Sequence, residues 1–156
     1  MNGFNDTGPR GMVANLALPV GLTVALNGFV FAVGWAGDPA RDQRLPMLPP
    51  DWAIGTLWVI LLALMGLARW VYVRRSGDTG LRSWAPMALA AFCLTFPFYT
   101  NGLSMGRAAF VGTVATVALT LATIFVLNAR DRRSPWCLVP TACWGGYVTS
   151  VMLRFM

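Results

Sequence analysis

The sequence predicts an all-α membrane protein that folds as a bundle of five transmembrane helices. Of its 156 residues, 56% are hydrophobic and only 12% are charged, whereas charged residues make up about 25% of an average soluble domain. The apolar residues form five runs that are separated by shorter polar stretches. A helix of about 20 residues crosses a hydrocarbon core of roughly 30 Å, and these runs are close to that length. We therefore expect a multi-pass membrane protein.

The five helices form one predicted domain over residues 1–156, because a single bundle accounts for the whole length and no internal repeat is visible. We expect the helices at residues 12–35, 51–73, 84–100, 108–128 and 135–155. The first apolar run follows a polar N-terminus and is too long for the h-region of a signal peptide. This run is therefore expected to remain as a helix.

The second helix has the clearest start signal. Pro49 and Pro50 precede Asp51, and a proline in the first turn needs no N–H partner, while a carboxylate there complements the helix dipole. The apolar run that follows ends near Arg69 and Trp70. Because Arg69 is close to the end of the helix, we interpret its guanidinium as extending to the membrane interface.

Polar residues and a proline give further information about the fourth and fifth helices. Four threonines recur at roughly helical spacing in the fourth helix, and we expect their hydroxyls to bond to backbone or to neighbouring helices rather than to a ligand: Thr113, Thr116, Thr120 and Thr123. Ser134 is the predicted N-cap of the fifth helix, and Pro135 its first-turn proline.

The arginines predict the orientation of the bundle. One side contains the N-terminal tail, the loop between the second and third helices, and the loop between the fourth and fifth helices. This side carries Arg10, Arg74, Arg75, Arg82, Arg130, Arg132 and Arg133. The other side carries Arg41, Arg44, Arg107 and Arg154. Because basic residues favour cytoplasmic loops, we expect a cytoplasmic N-terminus in a bacterial membrane, with the long first loop outside.

Composition also excludes several classes of function. The net charge of +6 comes from arginines beside apolar runs, so we read it as a topology signal and expect no nucleic-acid partner. The chain has no His, Lys or Glu, which argues against a proton-coupled pump. Cys93, Cys137 and Cys143 match no metal or redox spacing. We therefore predict no metal site and interpret the cysteines as packing residues.

Two blocks of the sequence resemble the TspO/translocator protein family of tryptophan-rich sensory proteins. The first block contains Pro49, Pro50, Trp52, Gly55, Trp58, Met65, Gly66 and Ala68. The second block, residues 131–144, reads DRRSPWCLVPTACW and is similar to the family's basic turn and the helix after it. Ile54, Thr56 and Leu62 stand where the family usually has Phe, Pro and Tyr. The chain is therefore identified as a divergent member.

This resemblance implies a pocket between helices, open toward the first loop, for planar apolar ligands such as protoporphyrin IX, with no required cofactor. Trp58 and Trp144 match the tryptophans that the family uses for porphyrin binding and breakdown. The full set of expected ligand-binding residues is Trp52, Trp58, Leu62, Met65, Trp144, Tyr147 and Val148. Helical spacing predicts that Trp58, Leu62 and Met65 share one face of their helix, and that Trp144 and Tyr147 share another. An indole offers a large π-face for stacking. Since haem iron usually takes a His, Cys, Met or Tyr ligand and His is absent, a metal-free tetrapyrrole is favoured.

Other interpretations of the aromatic and basic residues stay open. Tryptophans also form belts at membrane interfaces, which we expect for Trp35, Trp70, Trp84 and Trp136. Arg41 and Arg44 either pair with ligand carboxylates or are solvated loop residues.

Three functions follow from the sequence. The first is a module that binds tetrapyrroles, with or without transporting them, and has a stress or regulatory role. The second is light- and oxygen-dependent porphyrin degradation, with Trp58 and Trp144 as catalytic residues. The third is a structural membrane subunit without a ligand. The expected partners are membrane lipid, a planar hydrophobic small molecule and a second copy in a homodimer.

Overall fold

The computed structural model describes residues 3–34, 47–100 and 106–155, and within these ranges the chain is helical and contains no strand. The helices are α1 (Pro9–Ala32), α2 (Asp51–Ser76), α3 (Ala85–Leu94), α4 (Phe96–Tyr99), α5 (Arg107–Asn128) and α6 (Val139–Phe155). Short 3-10 turns are found at Gly3–Asn5, Leu81–Trp84 and Ser134–Leu138. The predicted all-α class is confirmed.

Three helices are long and apolar enough to cross a membrane: Pro9–Ala32, Trp52–Ser76 and Arg107–Asn128. The third predicted span is interrupted, because α3 ends at Leu94 and the short α4 follows Thr95. Pro97 has no N–H and cannot donate to the carbonyl of Cys93, so a continuous helix would lose this bond. The fifth predicted span is a 3-10 turn followed by α6. Five membrane crossings therefore remain a prediction.

Several helix boundaries differ by about three residues from the approximate predicted ones, for local reasons. The first helix begins at Pro9 instead of residue 12, because the proline occupies the first turn after Gly8. The second helix continues to Ser76 and ends where Gly77 adopts a left-handed φ of 68° and donates its N–H to the Val73 carbonyl at 2.9 Å. Such a conformation favours glycine because it has no Cβ.

Ser134 is not the N-cap that the sequence predicts. Arg133 is the residue at the N-cap, and its side chain forms no capping bond. The Asp131 carboxylate accepts the Ser134 N–H at 2.8 Å and the Arg133 N–H at 3.3 Å. The 3-10 turn Ser134–Leu138 follows, and α6 begins only at Val139.

The bundle packs around α2. The closest partner of α2 is α1, and α2 also packs on α3 and on the turn Ser134–Leu138. Its inward side chains join the main hydrophobic core, made of Leu62, Met65, Ala68, Tyr72, Leu89, Ala90, Cys93, Leu127 and Leu138. Gly66 lies directly against α1, because a Cβ there would overlap the Asn15 carbonyl oxygen and lie 2.9 Å from its carbon.

Ion pairs join the loops at one end of the bundle. Arg75 Nε lies 2.9 Å from Asp131 Oδ1, and Arg130 lies 3.3 Å from Asp78 Oδ2. The N-terminal chain reaches the same end, where Trp70 Nε1 donates to the Gly8 carbonyl at 3.2 Å. The N-terminal tail and the second–third and fourth–fifth loops therefore lie at the same end of the bundle. The cytoplasmic assignment of that side remains a prediction.

Candidate ligand site at the first-loop end of the bundle

Trp58 is the partly buried aromatic residue at the upper edge of the main core, where "upper" denotes the end of the bundle that carries the first loop. Its indole packs against the core cluster that contains Leu62 and Met65. These two side chains lie deeper, with exposed fractions of 2% and 0%. The predicted common face of Trp58, Leu62 and Met65 is therefore confirmed, but of the three only the indole has surface left for a ligand.

Trp144 belongs to a second, smaller hydrophobic cluster. The buried members of this cluster are Ala109, Val148 and Met152, and the partly buried residues packed on them are Leu48, Phe96, Phe110 and Trp144. The Trp144 and Tyr147 rings have centroids 5.7 Å apart and are tilted by 36°. The Tyr147 hydroxyl donates to the Met47 carbonyl, so the end of the first loop is held against α6.

Trp58 and Trp144 both lie on the first-loop side of a residue that belongs to the main core. The helices α2 and α6 are antiparallel, since α2 runs toward the Arg75–Asp131 ion pair and α6 runs away from it. Leu62 and Leu138 share the main core. At a rise of about 1.5 Å per residue, Trp58 lies about 6 Å above Leu62 and Trp144 about 9 Å above Leu138.

The two helices also separate toward this end. Below Leu138, α2 packs closely against the turn Ser134–Leu138, whereas α6 packs mainly on α5. Trp58 and Trp144 therefore belong to different hydrophobic clusters.

The remaining predicted site residues are not all gathered here. Val148 is buried beside Trp144, whereas Trp52 is 75% exposed near the start of α2. Arg41, Arg44 and Trp35 lie outside the described residues. Within the described part of the chain, no three His, Cys, Asp or Glu side chains are grouped so that they could hold a metal ion.

The threonine row of α5 forms hydrogen bonds within its own helix, as predicted. The hydroxyls of Thr113, Thr116, Thr120 and Thr123 donate to the carbonyls four residues earlier at 2.8, 2.9, 2.7 and 2.8 Å. All four side chains are buried. These hydroxyls are therefore satisfied without a ligand.

A surface groove of about 440 Å³ lies between α5 and α6. Its lining is almost entirely apolar and consists of Val114, Val117, Ala118, Leu121, Gly146, Thr149, Ser150 and Leu153. None of the predicted ligand-binding residues lines this groove. It is distinct from the region between Trp58 and Trp144.

The interpretation of Arg69 as an interfacial side chain is wrong. Arg69 is 0% exposed and bonds to the N-terminal segment, which we define as residues 3–8. Trp70 is only 9% exposed, and the Trp84 ring lies under the Arg69 guanidinium at 3.8 Å. The prediction that these tryptophans lie in an interfacial belt is therefore wrong for Trp70. For Trp84 it omits the contact between the ring and the Arg69 guanidinium. Trp136, with 72% of its surface exposed, fits a belt position.

These features define an α-helical membrane protein with aromatic side chains clustered at one end. The TspO/MBR family model matches residues 15–156, nearly the whole chain, so the chain belongs to the TspO/MBR family. No curated protein and no solved structure matches the chain at a significant level. The family assignment thus confirms the resemblance, and the helices able to cross a membrane agree with it.

Proposed function

We propose that this protein binds a planar apolar tetrapyrrole such as protoporphyrin IX between α2 and α6, near the first loop. The observation that carries the proposal is the packing of two partly buried indoles, Trp58 on α2 and Trp144 on α6, against two separate hydrophobic clusters of the bundle. Membership of the TspO/MBR family supports a ligand-binding role in the membrane. Transport or a stress-linked regulatory role would use this binding.

Each residue of the proposed site has a distinct task. The indoles of Trp58 and Trp144 stack on the ligand, because extended π-systems prefer offset or tilted contacts with aromatic rings. Leu62 and Met65 are fully packed and close the lower side of the site. Tyr147 lies against Trp144 and holds it close to the first loop through its bond to Met47. Val148 supports the Trp144 side, and Trp52 lies at the outer rim.

The test is a titration of the detergent-purified protein with protoporphyrin IX, followed by tryptophan fluorescence. Wild type is expected to show saturable quenching. The double variant Trp58→Phe/Trp144→Phe should bind about tenfold more weakly, because aromatic contacts contribute about 0.5–1.5 kcal/mol each and 1.4 kcal/mol is a factor of ten. Trp136→Phe is the matched control, since this exposed indole lies in the turn before α6, and its binding curve should equal that of wild type.

Two results would contradict the proposal: quenching without saturation, or the same affinity in the double variant and in wild type. Quenching without saturation would leave the structural-subunit interpretation, whereas an unchanged affinity in the double variant would mean that the ligand binds away from both indoles. If the Trp136→Phe control weakens binding as much as the double variant, the ligand lies elsewhere.

We propose degradation of the bound porphyrin as a second activity, supported by the placement of two oxidisable indoles where the ligand would stack. Illumination of the protoporphyrin mixture in air distinguishes the two activities. A lasting new absorbance band that disappears in either Trp58→Phe or Trp144→Phe supports degradation. Spectra that stay unchanged while binding saturates indicate binding alone.

A further inference from the structure

The guanidinium of Arg69 is enclosed by the N-terminal segment and two helices at the end of the bundle remote from the first loop. One terminal nitrogen, Nη1, donates to the Phe4 carbonyl and to Asn15 Oδ1, both at 2.7 Å. The other, Nη2, donates to Asn5 Oδ1 at 2.9 Å. The Trp84 ring covers the guanidinium at 3.8 Å. The side chain is completely buried.

No carboxylate neutralises this charge within the part of the chain that the structure describes, where Arg69 has only neutral oxygen acceptors. Removal of a cation from water is costly unless a partner charge compensates it. Ionisable groups within membrane helices are accordingly paired or functional in most cases. Arg69 Nε, in addition, is buried without a hydrogen-bond partner. The surroundings of Arg69 are thus suited to an anion that is not part of this network.

The donors around Arg69 already have the arrangement that an oxyanion requires. The Phe4 carbonyl oxygen accepts two hydrogen bonds, from Arg69 Nη1 at 2.7 Å and from Asn15 Nδ2 at 3.0 Å. Asn5 Oδ1 accepts from the neighbouring Nη2. Two oxygens therefore face the two terminal nitrogens of one guanidinium, which is how a carboxylate or phosphate binds arginine in a bidentate pair. Both of these oxygens belong to the N-terminal segment.

We propose that Arg69, Asn15 and Trp84 form a binding site for the oxyanion head of an amphiphile, and that the N-terminal segment occupies this site when the ligand is absent. The ligand class is a carboxylate or phosphate joined to an apolar body. Its oxygens would replace those of Phe4 and Asn5, and its apolar part would replace the Phe4 ring, which packs on Trp84 with centroids 6.0 Å apart. The apolar body suits a molecule that enters from the membrane.

Outside this site, further contacts hold the N-terminal segment. Trp70 Nε1 donates to the Gly8 carbonyl, and the Asp6 carbonyl packs directly on Gly11 of α1, where an added Cβ would overlap it. It precedes α1 and is not part of the helix. Displacement of residues 3–8 therefore requires no helix to unfold. The proposed site lies at the opposite end from Trp58 and Trp144 and does not depend on the tetrapyrrole proposal.

Hydrogen–deuterium exchange of the full-length protein in neutral detergent tests this proposal. Dodecanoate serves as the free carboxylate amphiphile, phosphatidic acid as the lipid headgroup, and dodecanol as the uncharged control. We expect dodecanoate or phosphatidic acid to accelerate exchange in residues 3–12 in a saturable manner, and dodecanol to have no effect. A response to only one of the two anions identifies the source of the ligand.

Variants of the N-terminal segment provide the decisive comparison. Asn5→Ala removes one competing acceptor of a charged hydrogen bond and should lower the half-saturating concentration of the anion about tenfold. Thr7→Ala, at an exposed position of the same segment, is the matched control. This variant should have the same half-saturating concentration of the anion as wild type. Arg69→Gln should abolish the response.

Three outcomes would overturn the proposal: no acceleration by either anion, an equal effect of dodecanol, or equal affinities in Asn5→Ala and Thr7→Ala. Because Asn5→Ala leaves the buried guanidinium in place, this comparison remains valid even if Arg69→Gln does not fold.

Discussion

The contact between α1 and α2 at Gly66 gives a stability prediction that can be worked out from the structure. A Cβ at this position would overlap the Asn15 carbonyl oxygen and lie 3.2 Å from Pro19 Cγ. The first of these neighbours is backbone, so it cannot rotate away, and the two helices must move apart. Gly66→Ala is therefore expected to destabilise the protein, although alanine is the better helix former.

The magnitude follows from two opposing effects. Replacement of a helical glycine by alanine gains about 0.8–1 kcal/mol from helix propensity, whereas overpacking of a close contact costs about 1–3 kcal/mol. A displaced Asn15 would also weaken its bond to Arg69, and hydrogen bonds to charged groups contribute about 1.5–3 kcal/mol. We expect a net loss of about 1–3 kcal/mol in the free energy of unfolding.

Gly55→Ala is the matched control, because Gly55 lies in the same helix and a Cβ there would meet no atom within 4 Å. This variant should be as stable as wild type or up to about 1 kcal/mol more stable. The assay is unfolding of the detergent-solubilised protein in increasing dodecyl sulphate, followed by circular dichroism. If Gly66→Ala and Gly55→Ala unfold at the same point, the close approach of α1 and α2 is refuted.

Two further substitutions test the loop end and α5. Burial opposes ionisation of Asp131, but hydrogen bonds from Ser134, Arg75 and Arg133 outweigh it and hold the pKa of this carboxyl below its ordinary value. The ionised carboxylate thus stabilises the fold at pH values above its pKa in the unfolded chain, which is about 3.9. This stabilisation is lost as the pH falls through the lower pKa that Asp131 has in the folded protein. Asp131→Asn should lower the melting temperature at pH 7 and flatten its decline below pH ~4; an unchanged melting profile would contradict this. Thr120→Val should change the free energy of unfolding by less than about 1 kcal/mol, since the lost hydroxyl bonds only to its own helix, and should leave porphyrin quenching unaltered. A larger loss measured in the same dodecyl sulphate assay would indicate a contact outside α5.

The helices were predictable from the sequence because their causes are local. Long apolar runs and prolines in first turns act within a few residues of their own position, so α2 and α5 lie close to their predicted bounds. The interruption at Thr95 also has a visible local cause in Pro97. The prediction of one continuous helix over residues 84–100 did not take into account the hydrogen bond that this proline removes.

The surroundings of Arg69 were not predictable, because its partners are distant in sequence. Phe4 and Asn5 precede Arg69 by 65 and 64 residues, and Asn15 by 54. No period or motif joins these positions. Proximity to a helix end favoured an interfacial side chain, and only the folded chain reveals that the N-terminal segment covers the guanidinium instead.

The candidate ligand site was predictable in part. Helical spacing correctly placed Trp58, Leu62 and Met65 on one face, and also Trp144 with Tyr147. Spacing cannot give depth, however, because burial depends on which neighbour covers each residue. Thus Leu62 and Met65 are closed off by the main core, whereas Trp52 is left exposed.

The two proposed sites share the helix α2 but are physically separate. Trp58 and Arg69 are 11 residues apart on this helix, which corresponds to about 16 Å along its axis. Between them lie Leu62 and Met65, whose side chains are packed into the main core and leave no continuous passage on this face of α2. A planar ligand at Trp58 therefore cannot reach the Arg69 guanidinium, and an anion at Arg69 cannot stack on Trp58. Failure of porphyrin quenching would consequently leave the oxyanion site intact as a proposal, and unchanged exchange in the N-terminal segment would leave the tetrapyrrole site intact.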